Sequence, residues 1–445
     1  MNLKKLLLIC LFLFCSLAVV KPQTTTPPQT ILIRAGRVFD SEKGVLLPAR
    51  DIVIKNNLIE AVGENLPVPA GARVIDLTRY TVLPGLIDAH THLLYLEDPS
   101  GNSSLEGIKA LTIEGTPLRA LRGAARGRTF LLAGITTVRD LGNSGRFGDV
   151  ALRTAINEGS VDGPRMYVSG PGLSPEGGQF PGLQPGYKQL AEEEYRVIHG
   201  PDDARQAVRE NVTYGARLIK IYSNNTPNPG YLSMEEMKVI VDEAKLLKVK
   251  VAAHATDDTA VRRAAEAGVD SIEHGYQVKD ETLALMKTRG VALVPTDVDE
   301  ASLKLYFERS KSPAPPNPTS ILQPLRDRLR RAMAAGVTIV AGSDNYIDFG
   351  MPQGQAAKRV LFAYLEAGMK PAQILQSATI NGGRLIGDER LGVIKAGAFA
   401  DIIAIEGDPL QDFNAIEKIK FVMKDGKVYV EGSSPTVKEG SLDRR

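Results

Sequence analysis

Four of the five histidines in this 445-residue chain end apolar runs. His90 and His92 close the run Val82-Leu-Pro-Gly-Leu-Ile-Asp-Ala-His-Thr-His92. His254 closes Val249-Lys-Val-Ala-Ala-His254, and His274 closes Val269-Asp-Ser-Ile-Glu-His274. Neutral imidazole is the commonest side-chain ligand for zinc and similar ions. In an extended strand residues i and i+2 share a face, so His90 and His92 can chelate one ion. For each ring alone, a surface or core histidine is the alternative reading; four at strand ends weigh against it.

Two further groups sit in similar places. Lys220 lies in Leu218-Ile-Lys-Ile-Tyr222, where burying a charged ammonium is costly. Burial lowers the pKa of such an amine. The neutral amine could react with carbon dioxide to give a carbamate, an anionic ligand able to bridge two cations. A structural lysine paired to a carboxylate is the alternative. Tyr222 shares the parity of Lys220, and its hydroxyl could polarise a substrate carbonyl or simply pack. Asp344 ends Val337-Thr-Ile-Val-Ala-Gly-Ser-Asp344. A carboxylate there could bind a metal and take a proton from metal-activated water, or cap a helix. Asp88 shares the parity of His90 but lies deeper, so a supporting or structural role is expected. His199, in Val197-Ile-His-Gly-Pro201, reads as a solvated loop residue.

The elements that must position these groups follow from periodicity. Short β-rich segments occur at 31–80 and return after residue 400, with Asp425-Gly426 as a hairpin turn. Between them, helical segments such as 233–247 and 256–267 alternate with apolar runs. Eight such runs end near His92, Asp140, Gly170, Ser223, His254, His274, Pro295 and Asp344. The pattern predicts an α/β chain: a (β/α)8 TIM-like barrel plus a small β-sandwich domain formed from both terminal segments. A doubly wound open sheet is the alternative, but it leaves the polar strand ends unexplained. Long connections at 171–201 and 310–319 would overhang the barrel mouth.

Composition bounds the compartment. Lys4 and Lys5 precede an uncharged stretch at 6–20, the pattern of a secretory signal peptide. An uncleaved membrane anchor is the alternative, although the stretch is short for a span. The formal charge is +2; without those two lysines it is about zero, so nothing favours nucleic acid or an anionic membrane. Cys10 and Cys15 both lie in the leader. A mature chain without cysteine excludes disulfides and thiolate sites, so a metal must sit on N and O ligands. The expected divisions are 1–22 signal peptide, 23–29 disordered spacer, 30–82 and 387–434 small β domain, 83–386 barrel and 435–445 tail. Secretion or a periplasmic location is expected, with no membrane attachment once the signal is removed.

Taken in order, the motifs resemble those of the metal-dependent amidohydrolase superfamily. Leu83-Pro-Gly-Leu-Ile-Asp-Ala-His-Thr-His92 resembles its opening signature. Ile219-Lys-Ile-Tyr222, Ala253-His254, Ile272-Glu-His-Gly275 and Gly342-Ser-Asp344 resemble its later ligand motifs. Ser377-Ala-Thr-Ile-Asn381 and Gly397-Ala-Phe-Ala-Asp-Ile-Ile403 resemble its return to the small β domain. The chain is most similar to the imidazolonepropionase-like branch that includes prolidase-like Xaa-Pro and Xaa-Arg dipeptidases. This resemblance implies two divalent ions, zinc expected. One would sit on His90, His92, carboxylated Lys220 and Asp344, the other on Lys220, His254 and His274. It implies a bridging hydroxide, Asp344 as proton shuttle and Tyr222 at the carbonyl. Relatives commonly carry His after the paired glycines of Gly177-Gly178; this chain carries Gln179, a third candidate catalytic residue, which donates a hydrogen bond but cannot become a cation.

The function expected is a secreted hydrolase of the amide bond in a dipeptide or N-acyl amino acid whose free carboxylate is held at the barrel mouth. A cyclic amide, lactone or ester is the alternative substrate, and a non-catalytic metal-binding protein the alternative class. Partners are expected to be small molecules, and the chain could form a homo-oligomer.

Overall fold

The computed structural model describes residues 30–180, 182–317 and 319–432. The expected signal peptide, spacer and tail lie outside these residues. The described chain is a mixed α/β protein. Five strands open it: β1 (Thr30–Asp40), β2 (Val45–Leu47), β3 (Arg50–Lys55), β4 (Leu58–Gly63) and β5 (Arg73–Pro84). Nine parallel strands follow: β6 (Leu86–Thr91), β7 (Ile135–Asp140), β8 (Arg165–Val168), β9 (Gly172–Ser174), β10 (Tyr195–Val197), β11 (Leu218–Tyr222), β12 (Lys250–Ala255), β13 (Ser271–His274) and β14 (Ala292–Val294). The chain closes with β15 (Ile402–Ile405), β16 (Ile419–Lys424) and β17 (Lys427–Glu431).

Both ends of the chain share one eight-stranded sheet, ordered β17-β16-β15-β5-β1-β3-β4 with β2 on β1. Its apolar residues, among them Ile33, Ile54, Ile75, Ile402 and Phe421, make a core of their own. Asp425 and Gly426 join β16 to β17 with φ of 51° and 74°. Two left-handed residues match the twist of a tight hairpin, which explains the Asp-Gly pair.

The parallel strands lie in a sheet of three (β6-β7-β8) and a sheet of six (β10-β9-β11-β12-β13-β14). Hydrogen bonds outside the regular ladders join their edges. Arg217 N donates to Val168 O at 2.8 Å, linking β8 to the entrance of β11. Leu293 N donates to Thr338 O, and Val340 N to Leu293 O, linking β14 to the segment 337–341. Ala89 N donates to Ala341 O at 2.8 Å, returning the circuit to β6. The eighth apolar run is therefore extended but irregular, held by a single bridge at Leu293 and Ile339.

Helices alternate with these strands as their local sequence dictates. The helix Met234–Leu246 starts at Ser233, whose hydroxyl accepts from Glu236 N while the Glu236 carboxylate accepts from Ser233 N. The helix Asp258–Ala267 starts at Asp257, which accepts from Ala260 N, and stops at left-handed Gly268. The long connection at 171–201 carries regular structure of its own: β9, β10 and a short helix Gln189–Glu192. Among the described residues no helix is long and apolar enough to cross a membrane.

Candidate active site and metal centre

The structure gathers the six expected ligands at the C-terminal ends of the parallel strands. His90 is the penultimate residue of β6, with His92 just beyond its end; Lys220 lies in β11, His254 in β12 and His274 at the end of β13. Asp344 follows the irregular eighth run. Its amide donates to His90 O at 2.8 Å, and Asp88 accepts from both His90 N and Ser343 N, tying the first run to the last. Asp88 thus fills the supporting place expected of it. Gly342 permits this approach, because a Cβ there would lie 2.4 Å from Val294 Cγ1 and 2.9 Å from His90 Cβ.

The four rings form one cluster. Centroid separations are 5.1 Å for His90–His92, 5.2 Å for His90–His274 and 4.6 Å for His254–His274. Their partners dictate their tautomers. His90 Nδ1 faces a Glu273 carboxylate oxygen at 2.8 Å, and His92 Nδ1 faces the Gly142 carbonyl at 3.0 Å. Both partners only accept, so both Nδ1 atoms carry the proton and both Nε2 atoms are bare. These Nε2 atoms stand 3.2 Å apart. His274 Nδ1 lies 2.8 Å from Thr296 Oγ1, whose own proton goes to Pro295 O at 2.7 Å. His274 therefore donates there too, and its Nε2 is free. The Gln179 amide nitrogen sits 3.4 Å from His254 Nε2.

Lone pairs held this close repel unless a cation takes them. The residues present therefore fit a divalent metal centre on chemical grounds. Ligand atoms of His90, His274 and Asp344 lie within 4.8 Å of one another. Asp344 Oδ1 is 3.1 Å from His92 Nε2 and 3.5 Å from His90 Nε2, yet makes no hydrogen bond of acceptable alignment. Such an orphaned, buried carboxylate oxygen suits an ion as partner. Backbone strain is concentrated here as well: His274 and Asp344 adopt φ of 72° and 49°.

Electrostatics agree. Burial, followed by the Lys220 charge, pushes His254 down to about 3. Burial and the neighbouring rings of His254 and His90 hold His274 far below the imidazole range. Both rings stay neutral, as ligands must. Burial lowers Lys220 to about 8 against the pull of Glu273 and Asp344, which makes a neutral amine accessible. Its Nζ is 3.4 Å from His90 Nε2. Burial raises Asp344, but His90, His92 and Lys220 outweigh it and hold the carboxylate ionised. Burial lowers His92, but the Asp344 carboxylate facing its Nε2 more than reverses this, so that nitrogen draws positive charge, whether a second proton or a metal ion.

Tyr222 packs its ring 5.2 Å from His254, and its hydroxyl donates to Asn143 Oδ1 at 3.3 Å. Burial raises its pKa steeply, so the phenol keeps its proton as a donor. Gln179 and Tyr222 line one cavity of about 420 Å³ together with His90, Lys220, His254, His274 and Asp344. His199 is exposed and lies outside that cavity, as expected of a solvated residue.

Sequence reasoning missed Glu273. Strand parity would place it opposite His274, but the left-handed φ of His274 breaks the alternation, and both reach His90. Glu273 is fully buried and also accepts from Arg139 Nη2 and Ser271 Oγ, each at 2.6 Å. Ser271 and Glu273 share strand parity, the one local signal that could have flagged the pair.

The chain is similar over most of its length to proteins of known kind. It is 28% identical over 441 residues to ochratoxinase of Aspergillus niger, a match covering 91% of this chain and 88% of that one. It is 23% identical over 394 residues to imidazolonepropionase of Symbiobacterium thermophilum, covering 81% and 84%. A solved Xaa-Pro dipeptidase with methionine bound in its active site superposes with a TM-score of 0.78 at 30% identity, over 90% of this chain and all of that chain. The amidohydrolase family model matches residues 81–429, and the chain belongs to the amidohydrolase family, hydrolases of carbon–nitrogen amide bonds.

Proposed function

We propose that this protein hydrolyses the amide bond of a dipeptide or an N-acyl amino acid, on a (β/α)8 barrel capped by a small β domain made from both termini. The domain limits at residues 83 and 386, and export by the N-terminal leader, belong to the same reading. The observation that carries it is the convergence of bare imidazole nitrogens, an orphaned carboxylate oxygen and a buried lysine in one cavity. His90, His92, His254, His274, Lys220 and Asp344 would hold two divalent ions, zinc by the chemistry of an N/O donor set, with Lys220 carboxylated as the bridge. Ions bound there would acidify a water molecule and polarise the amide carbonyl.

The chain's own residues do the rest. Asp344, ionised and facing the cavity, accepts the proton released by the attacking water and returns it to the departing amine nitrogen. The Tyr222 hydroxyl can exchange its weak bond to Asn143 for one to the carbonyl oxygen as charge develops there. Gln179, whose amide nitrogen is 3.4 Å from His254 Nε2, can offer a further N–H donor. The similarity to a Xaa-Pro dipeptidase supports a small peptide substrate. A library of dipeptides and N-acyl amino acids, with lactones and aryl esters alongside, tests the reading on zinc-loaded protein. Turnover of lactones or esters with no turnover of any amide would refute it.

A further inference from the structure

The cavity wall beyond the ligand cluster is acidic. Among the described residues, Lys220 is the one lysine or arginine that lines it, whereas Glu97 and Glu194 both do. The two acids are not equivalent. Arg119 grips both oxygens of Glu194, at 2.8 and 3.0 Å, and the Gly145 amide adds a third bond. Its charge is spent on structure. Glu97 has no cation within salt-bridge distance among the described residues. Its Oε1 accepts from the Tyr95 hydroxyl at 2.6 Å and Ser103 Oγ at 2.8 Å, while Oε2 receives no hydrogen bond from them.

The position of Glu97 is fixed. Its amide donates to Tyr346 O at 2.7 Å, its carbonyl accepts from Asp348 N at 3.0 Å, and it bridges in parallel with Ile347. The acid is thereby clasped to the segment just after Asp344. Tyr95 and Tyr346 stand beside it with ring centroids 6.0 Å apart. A carboxylate with one oxygen that no hydrogen bond reaches among the described residues, beside tyrosine rings, is a recognition site for an ammonium group. Burial raises its pKa, and the nearby charges of Glu106 and Asp344 add to this. An incoming cation relieves all three effects.

We propose that Glu97 is a specificity-determining residue that anchors a protonated amine of the substrate. The inference rests on the amide-hydrolase reading and deepens it: peptides with a free α-amino group or a basic side chain are favoured over neutral N-acyl compounds.

The test compares wild type with E97Q, which keeps an acceptor for Tyr95 and Ser103 and so spares the loop. The substrates are a dipeptide with a free amine, its N-acetylated form, and an N-acetylated dipeptide carrying lysine on the acyl side. Wild type should favour one of the amine-bearing substrates over the neutral one at least tenfold in kcat/KM. E97Q should bring that ratio close to one. The substrate that shows the preference identifies the α-amine or the side chain as the source. A ratio unchanged in E97Q overturns the proposal. If no amide is turned over, the amide-hydrolase reading fails, and calorimetry decides the anchor separately. L-leucinamide should then bind wild type at least tenfold more tightly than N-acetyl-leucinamide, and E97Q should lose the difference; equal or absent binding overturns it.

Discussion

Replacing Glu273 by glutamine should cost this protein its metal before it costs the fold. Glu273 is wholly enclosed and takes three hydrogen bonds, from His90 Nδ1, Arg139 Nη2 and Ser271 Oγ. Alanine would strand the Arg139 cation, also buried, without a counter-charge; breaking such a pair costs about 3–5 kcal/mol. That is a large share of the roughly 5–15 kcal/mol that holds a typical protein folded, so Glu273→Ala tests little. Glutamine keeps the shape. With its carbonyl toward Arg139 and Ser271, its NH2 confronts the N–H of His90. Flipped, it confronts two donors instead. The first arrangement is the cheaper, and it drives the His90 proton from Nδ1 to Nε2, where the lone pair is needed. Arg139 loses its counter-charge here too but keeps a hydrogen-bond acceptor, so the stability loss should be about 1.5–3 kcal/mol, below that of alanine. Zinc affinity should fall about 10–100-fold, the range for lost hydrogen-bond partners of ligating histidines. Denaturant melts of the metal-free protein give the first number, and competition against a chromogenic chelator gives the second. Glu273→Gln protein that binds zinc within twofold of wild type would show that the carboxylate does not set the tautomer.

Three further outcomes follow from the same geometry. Stripping with a chelator should lower Tm by about 5 °C relative to zinc-loaded protein, because an ion held at a thousandfold excess over its Kd contributes about 4 kcal/mol and a chain of this length unfolds with an entropy of about 0.9 kcal/mol per kelvin; identical melts would remove the metal centre from the account. Asp344→Ala should reduce kcat by about 10²–10⁴-fold while elemental analysis still finds at least one ion per chain; persisting turnover would mean another group moves the proton. Asp149 is buried beneath the Gly170 and Val150 amides, and burial, then Asp140, raises it to about 7 from 3.8. Between those pH values the folded state keeps a proton that the unfolded state has released, so this group's contribution to stability falls as pH rises from about 4 to 7 and stays low above. Asp149→Asn sets an NH2 against one of those two amide donors at every pH, so its Tm relative to wild type should be more favourable at pH 8 than at pH 5 whatever its sign; an equal change at both would contradict the raised pKa.

What could be read from the chain alone, and what could not, divides along a physical line. Apolar, β-branched runs that end in His, Lys or Asp reveal themselves locally, because strand parity and burial act on neighbours in sequence. That is why His90, Lys220 and His254 could be nominated before any fold was known, and why the Asp425-Gly426 turn was legible. The three-residue strands β9 and β10 were hidden, because glycines and prolines around them mask any periodicity. The eighth run lacks a ladder although its sequence reads as a strand, since its hydrogen bonds are divided between β14 and β6. The atoms that decide the chemistry of the rings are harder still. The proton on His90 is placed by a carboxylate 183 residues away, that on His92 by a carbonyl 50 residues away, and that on His274 by a hydroxyl 22 residues away. A pattern of residue types can therefore nominate a ligand, but whether its nitrogen is bare depends on contacts that exist only once the strands have come together. Metal affinity should accordingly fall on substitution of Glu273 or Thr296, neither of which the motifs nominate as a ligand, as well as on loss of a ligand.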